Sequence, residues 1–259
     1  MRVADYITDF LFKKGIKTSF MLSGTGSVFL DDAFANQKGM EYISARHESA
    51  AVMMAVGYYK LSQKPGVALV TTGPGGANAV GGVVEAWVDS VPVLIISGQV
   101  ESNFLDKNIR YFGVQGLNVL PLIEPITKYS KTIIDPYSIQ YYLEKALYYA
   151  LEGRPGPVWL DIPFDIQSSQ IIDSNQMRVF IPPQIRELSL DNINSHIDLV
   201  LEKIHKAKKP LFILGQGVRQ GGAIDDFRRI VESLDIPFLT TRIAIDVFKN
   251  NKLFPLITV

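Results

Sequence analysis

Glu48 is the carboxylate best placed to do chemistry. It follows Arg46-His47 and opens the run Ser49-Ala50-Ala51-Val52-Met53-Met54-Ala55-Val56-Gly57-Tyr58-Tyr59, whose small apolar residues recur at helical spacing. A carboxyl group at the edge of an apolar site can share a proton with a bound partner. A glutamate in a first helical turn is also favoured by the helix dipole alone. The second stretch with chemical character is Thr72-Gly73-Pro74-Gly75-Gly76-Ala77-Asn78. Glycines after a strand and before a helix offer N–H groups to an anion, or they simply make a tight turn. The stretch lacks the Lys-Ser/Thr of a P-loop and the spacing of a dinucleotide fingerprint. A third, Ser23-Gly24-Thr25-Gly26-Ser27, is a loop where backbone can come close to a ligand.

These stretches need elements to position them, and the chain supplies a regular alternation. Helical spacing runs over 3–14, 28–35, 48–61, 77–90 and 136–153, and apolar strand-like runs over 18–22, 40–44, 67–71, 93–97, 128–132 and 156–163. Val67–Thr71 and Val93–Ser97 are almost continuously apolar, as expected of parallel strands covered on both faces. The pattern predicts an α/β fold, a parallel sheet sandwiched by helices. In such sheets ligands sit beyond the carboxyl ends of the strands, so the Ser23–Ser27 loop, Arg46-His47-Glu48 and Thr72–Asn78 should converge on one edge. Residues 103–120 are irregular and read as a surface excursion. From 168 to 186 periodicity is lost, with Ser168-Ser169 and Pro182-Pro183, and the stretch reads as a linker. A second α/β unit follows, with helices over 193–207 and 223–234 and strands over 210–214 and 237–241. Two strands are few for an independent sheet, and the apolar end Phe254-Pro255-Leu256-Ile257-Thr258-Val259 suggests an incomplete, truncated domain.

Bulk properties narrow the function classes. The 259 residues are 47% hydrophobic, enough for a sizeable core. Lys+Arg and Asp+Glu both number 26, which argues against nucleic acid or an anionic membrane as the main partner. There are no cysteines, which excludes disulfides and thiolate-held metal and fits the cytoplasm. Asp5 and Asp9 interrupt any signal-peptide pattern, and no apolar run is long enough to span a bilayer.

Taken together, Arg46-His47-Glu48-x-x-Ala51, Thr72-Gly73-Pro74-Gly75-x-x-Asn78, Asp89-Ser90-x-Pro92 and Gly98-Gln99 resemble the pyrimidine-binding domain of thiamine-diphosphate enzymes, of the acetolactate-synthase-like type. Gly153-Arg154-Pro155-Gly156-Pro157-Val158-x-x-Asp161-Ile162-Pro163-x-Asp165-x-Gln167 is similar to the end of that domain, and Leu214-Gly215-Gln216-Gly217-Val218-Arg219 to the start of the family's central domain. The resemblance covers essentially the whole chain and implies a pyrimidine-binding domain over 1–167, a linker over 168–189 and a partial central domain over 190–259.

The resemblance also implies roles. Glu48 would hydrogen-bond N1′ of the cofactor's aminopyrimidine and so be catalytic. Gly24, Pro74, Asn78 and Gln115 would lie near the cofactor. Arg154 corresponds to an arginine that contacts FAD in acetolactate synthases, and Gly215-Gln216-Gly217 to the region that receives it; many relatives keep the fold without flavin. The Ser23–Gly26 loop departs from the Pro-Gly-Gly form common in acetolactate synthases, and Gly116 stands where an acidic residue often follows the glutamine. The family's Mg²⁺ and diphosphate are held by a third domain with a Gly-Asp-Gly motif, which is absent from these 259 residues. Two functions are therefore expected. One is the N-terminal portion of an enzyme that decarboxylates a 2-keto acid and transfers or releases the acyl unit. The other is an inactive remnant, or a subunit needing a separate diphosphate-binding chain. The expected assembly is a homodimer or a pairing with such a chain.

Overall fold

The computed structural model describes residues 1–105, 113–184 and 190–247. The chain divides into two compact units, 1–183 and 184–259. In the first unit, β1 (Thr18–Met21), β2 (Glu41–Ser44), β3 (Gly66–Val70), β4 (Val93–Gln99), β5 (Tyr129–Thr132) and β6 (Val158–Pro163) form one sheet in the order β2-β1-β3-β4-β6-β5. Each strand is parallel to its neighbours, so all carboxyl ends share one edge.

Alternate side chains of the central strands feed two separate cores, the geometric consequence of the strand's two-residue period. Val67, Leu69, Leu94, Ile96, Val158 and Leu160 face α1 (Val3–Lys13), α2 (Val28–Asn36) and α7 (Ile139–Leu151). Ala68, Val70, Val93, Ile95 and Trp159 face α3 (Glu48–Ser62) and α5 (Val80–Val88). Burial on both faces is why these strands read as unbroken apolar runs. The sheet thus has the expected α/β architecture, consistent with the pyrimidine-binding domain fold.

Some boundaries differ from the sequence reading. The helix expected over 77–90 starts earlier and is interrupted: α4 (Pro74–Asn78) ends at Ala79, and α5 begins at Val80. The interruption is local, because Ala79 N–H bonds Gly76 C=O in a tighter i→i−3 turn. The seventh helix begins at Ile139 behind a 3₁₀ turn, Pro136–Ser138, because proline supplies no N–H and Asp135 caps Tyr137 N–H instead. At the end of the 103–120 excursion α6 (Leu120–Ile123) begins, and it buries Ile123.

The stretch from 168 to 183, expected within a linker, is packed on the first unit. It follows a short helix, α8 (Phe164–Ser168). Ile171 and Met177 join the core with α1 and α7. Val3 N–H bonds Ser169 C=O, Ile171 N–H bonds Met1 C=O, and Phe180 N–H donates to Glu144. Phe180 also sits against the rings of Tyr141, Tyr148 and Tyr149.

The second unit comprises α9 (Leu190–Lys206), β7 (Phe212–Leu214), α10 (Gly217–Gln220), α11 (Ile224–Leu234) and β8 (Phe238–Thr240). β7 and β8 pair in parallel, and Leu214, Ala244 and Val247 form a small core. The apolar end over 254–259 lies outside the described residues.

Candidate functional site

The carboxyl edge of the first sheet gathers most of the chemically interesting residues. β1 and β3 are neighbours whose connections leave in opposite directions, to β2 and towards β4, which opens the crevice of a doubly wound sheet at this point. Glu48 stands at the first position of α3. Its N-cap is His47, whose Nδ1 accepts from Ser49 N–H at 3.2 Å. This bond requires an unprotonated Nδ1, which puts the proton of a neutral ring on Nε2.

Glu48 is 7% exposed. Its Oε2 accepts from Asn78 Nδ2 at 3.2 Å. Its Oε1 accepts no hydrogen bond from the described residues and faces Gly75, where a Cβ would lie 3.3 Å away. Asn78 is gripped a second time, since its C=O accepts from Ser49 Oγ. Two successive residues of α3 therefore hold the end of α4 by its side chain and its backbone. The approach of α5 to α3 is equally close: a Cβ on Gly82 would lie 2.6 Å from Val52 Cβ.

The glycine turn is shaped by its neighbours. Gly73 has φ 63° and ψ −117°, and a Cβ there would overlap the Gln115 carbonyl oxygen. Pro74 opens α4, where its missing N–H costs nothing. Gln115 itself has φ 61°, a left-handed conformation uncommon for a residue with a Cβ. Such strain is held only by surroundings that over-determine it.

The Gly24 loop meets the same turn through Thr71. A Cβ on Gly24 would lie 2.6 Å from the Thr71 side chain, and one on Gly75 2.7 Å from its methyl. Gly26 N–H donates to Thr71 Oγ1 at 3.2 Å, and Gly26 C=O accepts from Gln167 Nε2 at 2.7 Å. Asp31 Oδ2 accepts from Gly24 N–H and Ser27 Oγ, each at 3.2 Å. Burial pushes the Asp31 carboxyl up to about 6, against the pull of those two hydrogen bonds.

Gly24, Glu48, Pro74, Asn78 and Gln115 thus belong to loops in mutual contact. Arg154 does not. It lies between α7 and β6, at the amino edge of the sheet, where its Nε donates to Ser90 Oγ at 2.6 Å.

Below the turn lies a set of polar side chains whose individual roles the sequence reading missed. Thr72, Ser97, Gln99 and Asp161 are each 5% exposed or less. Ser97 Oγ donates to Asp161 Oδ1 at 2.6 Å and accepts from Trp159 Nε1 at 2.7 Å. Asp161 Oδ2 accepts from Gln99 Nε2 at 3.1 Å and Thr132 Oγ1 at 3.2 Å. Burial pushes the Asp161 carboxyl up to about 6, opposed by these donors. The available signal was a polar residue inside an apolar strand, as in Val93–Gln99 and Val158–Pro163. No cluster of His, Asp or Glu able to hold a metal occurs among the described residues.

The parallel sheet with a glycine-lined crevice around one buried glutamate defines an α/β ligand-binding domain. Comparison with known families specifies it. The N-terminal TPP binding domain of thiamine pyrophosphate enzymes matches residues 1–115, and the central domain of the same enzymes matches residues 197–255. The chain belongs to the thiamine pyrophosphate enzyme family and is acetolactate-synthase-like. It is 35% identical over 231 residues to an acetolactate synthase large subunit of Lactococcus lactis, covering 89% of this chain and 39% of that one. It is 32% identical over 241 residues to the chloroplastic acetolactate synthase of Arabidopsis thaliana, covering 92% and 35%. With acetolactate synthase isozyme 3 large subunit of Escherichia coli it shares 30% over 249 residues, covering 95% and 42%. The chain spans about two fifths of the length of these relatives.

Proposed function

We propose that this chain supplies the pyrimidine half of a thiamine-diphosphate site in an acetolactate-synthase-like enzyme acting on a 2-keto acid. The observation that carries the reading is the Glu48 carboxylate: nearly buried, paired through one oxygen with Asn78, and open through the other beside bare Gly75 backbone. That arrangement fits a flat, nitrogen-bearing ring, because the open oxygen offers an acceptor to a ring N–H. When bound, thiamine diphosphate would supply the carbon nucleophile and the electron sink for decarboxylation. The chain's own residues would orient and protonate. Glu48 would hold a proton at the ring nitrogen, His47 and Ser49 would fix the start of its helix, and Asn78 would keep the carboxylate from turning away. Gly24, Pro74 and Gln115 would form the walls.

Mg²⁺ and the diphosphate would be held by residues other than these, since the 259 residues contain no Gly-Asp-Gly. The proposed assembly is a homodimer or a pairing with a complementary chain, and the outer surface of α3 and α5 supports such assembly. Met53, Met54 and Leu61 on one helix, and Val84, Trp87 and Val88 on the other, leave apolar side chains in solvent, with Leu61 90% exposed. The Arg154–Ser90 pair gives no comparable support for FAD, which remains a candidate only through the central-domain likeness.

The test separates the pyrimidine half from the whole cofactor. The aminopyrimidine fragment of thiamine should shift the amide resonances of Gly73 and Gly75–Asn78 in the isolated chain, and Glu48→Gln should remove that response. Calorimetry of the same chain with thiamine diphosphate and Mg²⁺ should find affinity weaker than micromolar; micromolar binding would sink the half-site reading. In the assembled enzyme Glu48→Gln should lower kcat by about 10²–10³-fold, and full activity would exclude the catalytic assignment.

A further inference from the structure

Gln99 lies at the carboxyl end of β4, between the two walls of the crevice. Its Oε1 accepts from Thr72 Oγ1 at 2.7 Å and from Val100 N–H at 3.0 Å. Its Nε2 donates to Leu117 C=O at 2.9 Å and to Asp161 Oδ2 at 3.1 Å. We infer that Gln99 is a positioning residue that ties the Thr72–Asn78 turn to the 113–119 loop, and that Asp161 sets which way its amide faces.

Four partners decide the orientation. Leu117 C=O and the Asp161 carboxylate can only accept, so they take the two N–H bonds; Thr72 O–H and Val100 N–H donate, so they take the carbonyl oxygen. Every polar atom of the amide is engaged, and a flip would set like against like at Leu117, Asp161 and Val100, whereas the Thr72 hydroxyl could bond either way round. The ionised form of Asp161 accepts from Ser97, Gln99 and Thr132, and its burial means that a lost donor is not replaced by water.

The tether acts at a distance through two neighbours. Thr72 commits its hydroxyl to Gln99 and turns its methyl towards Gly26, where a Cβ would lie 2.7 Å away. One threonine thus sets the spacing between the glycine turn and the Gly24 loop. On the other side, holding Leu117 holds the loop whose Gln115 carbonyl packs on Gly73. A plain hydrophobic residue at 99 would fill the same volume but specify neither distance. Burying a carboxylate and an amide where apolar side chains would serve stability equally well is the mark of a positional role.

The role in cofactor binding rests on the function proposed above; the tether itself does not. Amide hydrogen exchange on the chain tests it. Gln99→Met keeps length and burial and cuts both arms. Exchange at Gly75–Asn78 and at 117–119 should rise at least tenfold, with less than threefold change within Val67–Val70 and Leu94–Ile96. Thr72→Val removes one hydroxyl and keeps the methyl, so it should accelerate Gly75–Asn78 and leave 117–119 at the wild-type rate. Unchanged exchange in both segments, or an even rise across the sheet, would overturn the inference in either variant. Gln99→Met should also weaken binding of the aminopyrimidine fragment at least tenfold while the fragment's binding to wild type persists. Fragment binding by neither protein, with the exchange pattern intact, would count against the proposed function and leave the tether established.

Discussion

The two edges of the first sheet are built from the same six strands and handle polarity in opposite ways. At the carboxyl edge Thr72, Gln99 and Asp161 are buried and joined by hydrogen bonds that cross from strand end to strand end, and the nearly buried Glu48 is paired with Asn78. At the amino edge the polar groups are pairs near solvent. Arg154 meets Ser90, Lys60 meets Asp89 at 2.6 Å, and Lys128 Nζ meets the Glu152 carbonyl. Between α1, α7 and the 180–182 stretch that edge holds a mainly apolar cleft of about 460 Å³, lined by Phe10, Leu147, Tyr148 and Phe180 among others. Fixed dipoles in a dry place can orient a reacting group, whereas flexible pairs in water mainly keep an edge soluble.

Glycine makes the contrast measurable, because both edges use it at the same backbone angle. Gly73 has φ 63° and Gly153 has φ 60°. A Cβ at Gly153 would meet nothing within 4 Å, whereas one at Gly73 would strike the Gln115 carbonyl. Gly73→Ala should therefore cost about 3 kcal/mol, from left-handed strain plus displacement of the 115 loop. Gly153→Ala should cost about 1 kcal/mol from strain alone. Urea unfolding of the two variants measures the difference, and equal losses would mean the turn is not confined as described.

The next effect is in pH. The Asp161 carboxyl is raised from 3.8 to about 6 by burial. The folded chain therefore holds this proton more tightly than the unfolded chain. The resulting stabilisation is fully present below about pH 3.8 and is lost as pH rises through about 6. Over that window it amounts to about 3 kcal/mol, from roughly 1.4 kcal/mol per pH unit. Asp161→Asn should flatten the stability profile between pH 4 and 6.5; an unchanged slope would remove Asp161 as its source.

The smallest effect belongs to the amino edge. Lys60→Met, which deletes one partner of Asp89, should cost no more than about 1 kcal/mol. A loss of 3 kcal/mol there would erase the distinction between the edges.

The sheet was legible because doubly covered strands leave unbroken apolar runs, and Val67–Val70 and Val93–Ile96 are just that. Glu48 and the turn ending at Asn78 were legible because each sits directly after a strand. The polar set around Asp161 was not, because it depends on register: Ser97 lies opposite Asp161 only once β4 and β6 are aligned. Spacing along the chain carries no such information. The packing of the 168–183 stretch was not legible for a related reason. Its contacts are with the chain's first residues and with α7, and those partners leave no periodic pattern in the stretch itself.

One contact bears on the order in which the molecule can be made. Gln167 donates one side-chain N–H to Gly26 and the other to Ile162, reaching back 141 residues to the Gly24 loop. At a synthesis rate of about 5–20 residues per second, the loop waits on the order of ten seconds for that partner. The nascent chain can pair β1 with β3 well before then. The glycine loop reaches its final form only after the last strand of its own sheet has been made.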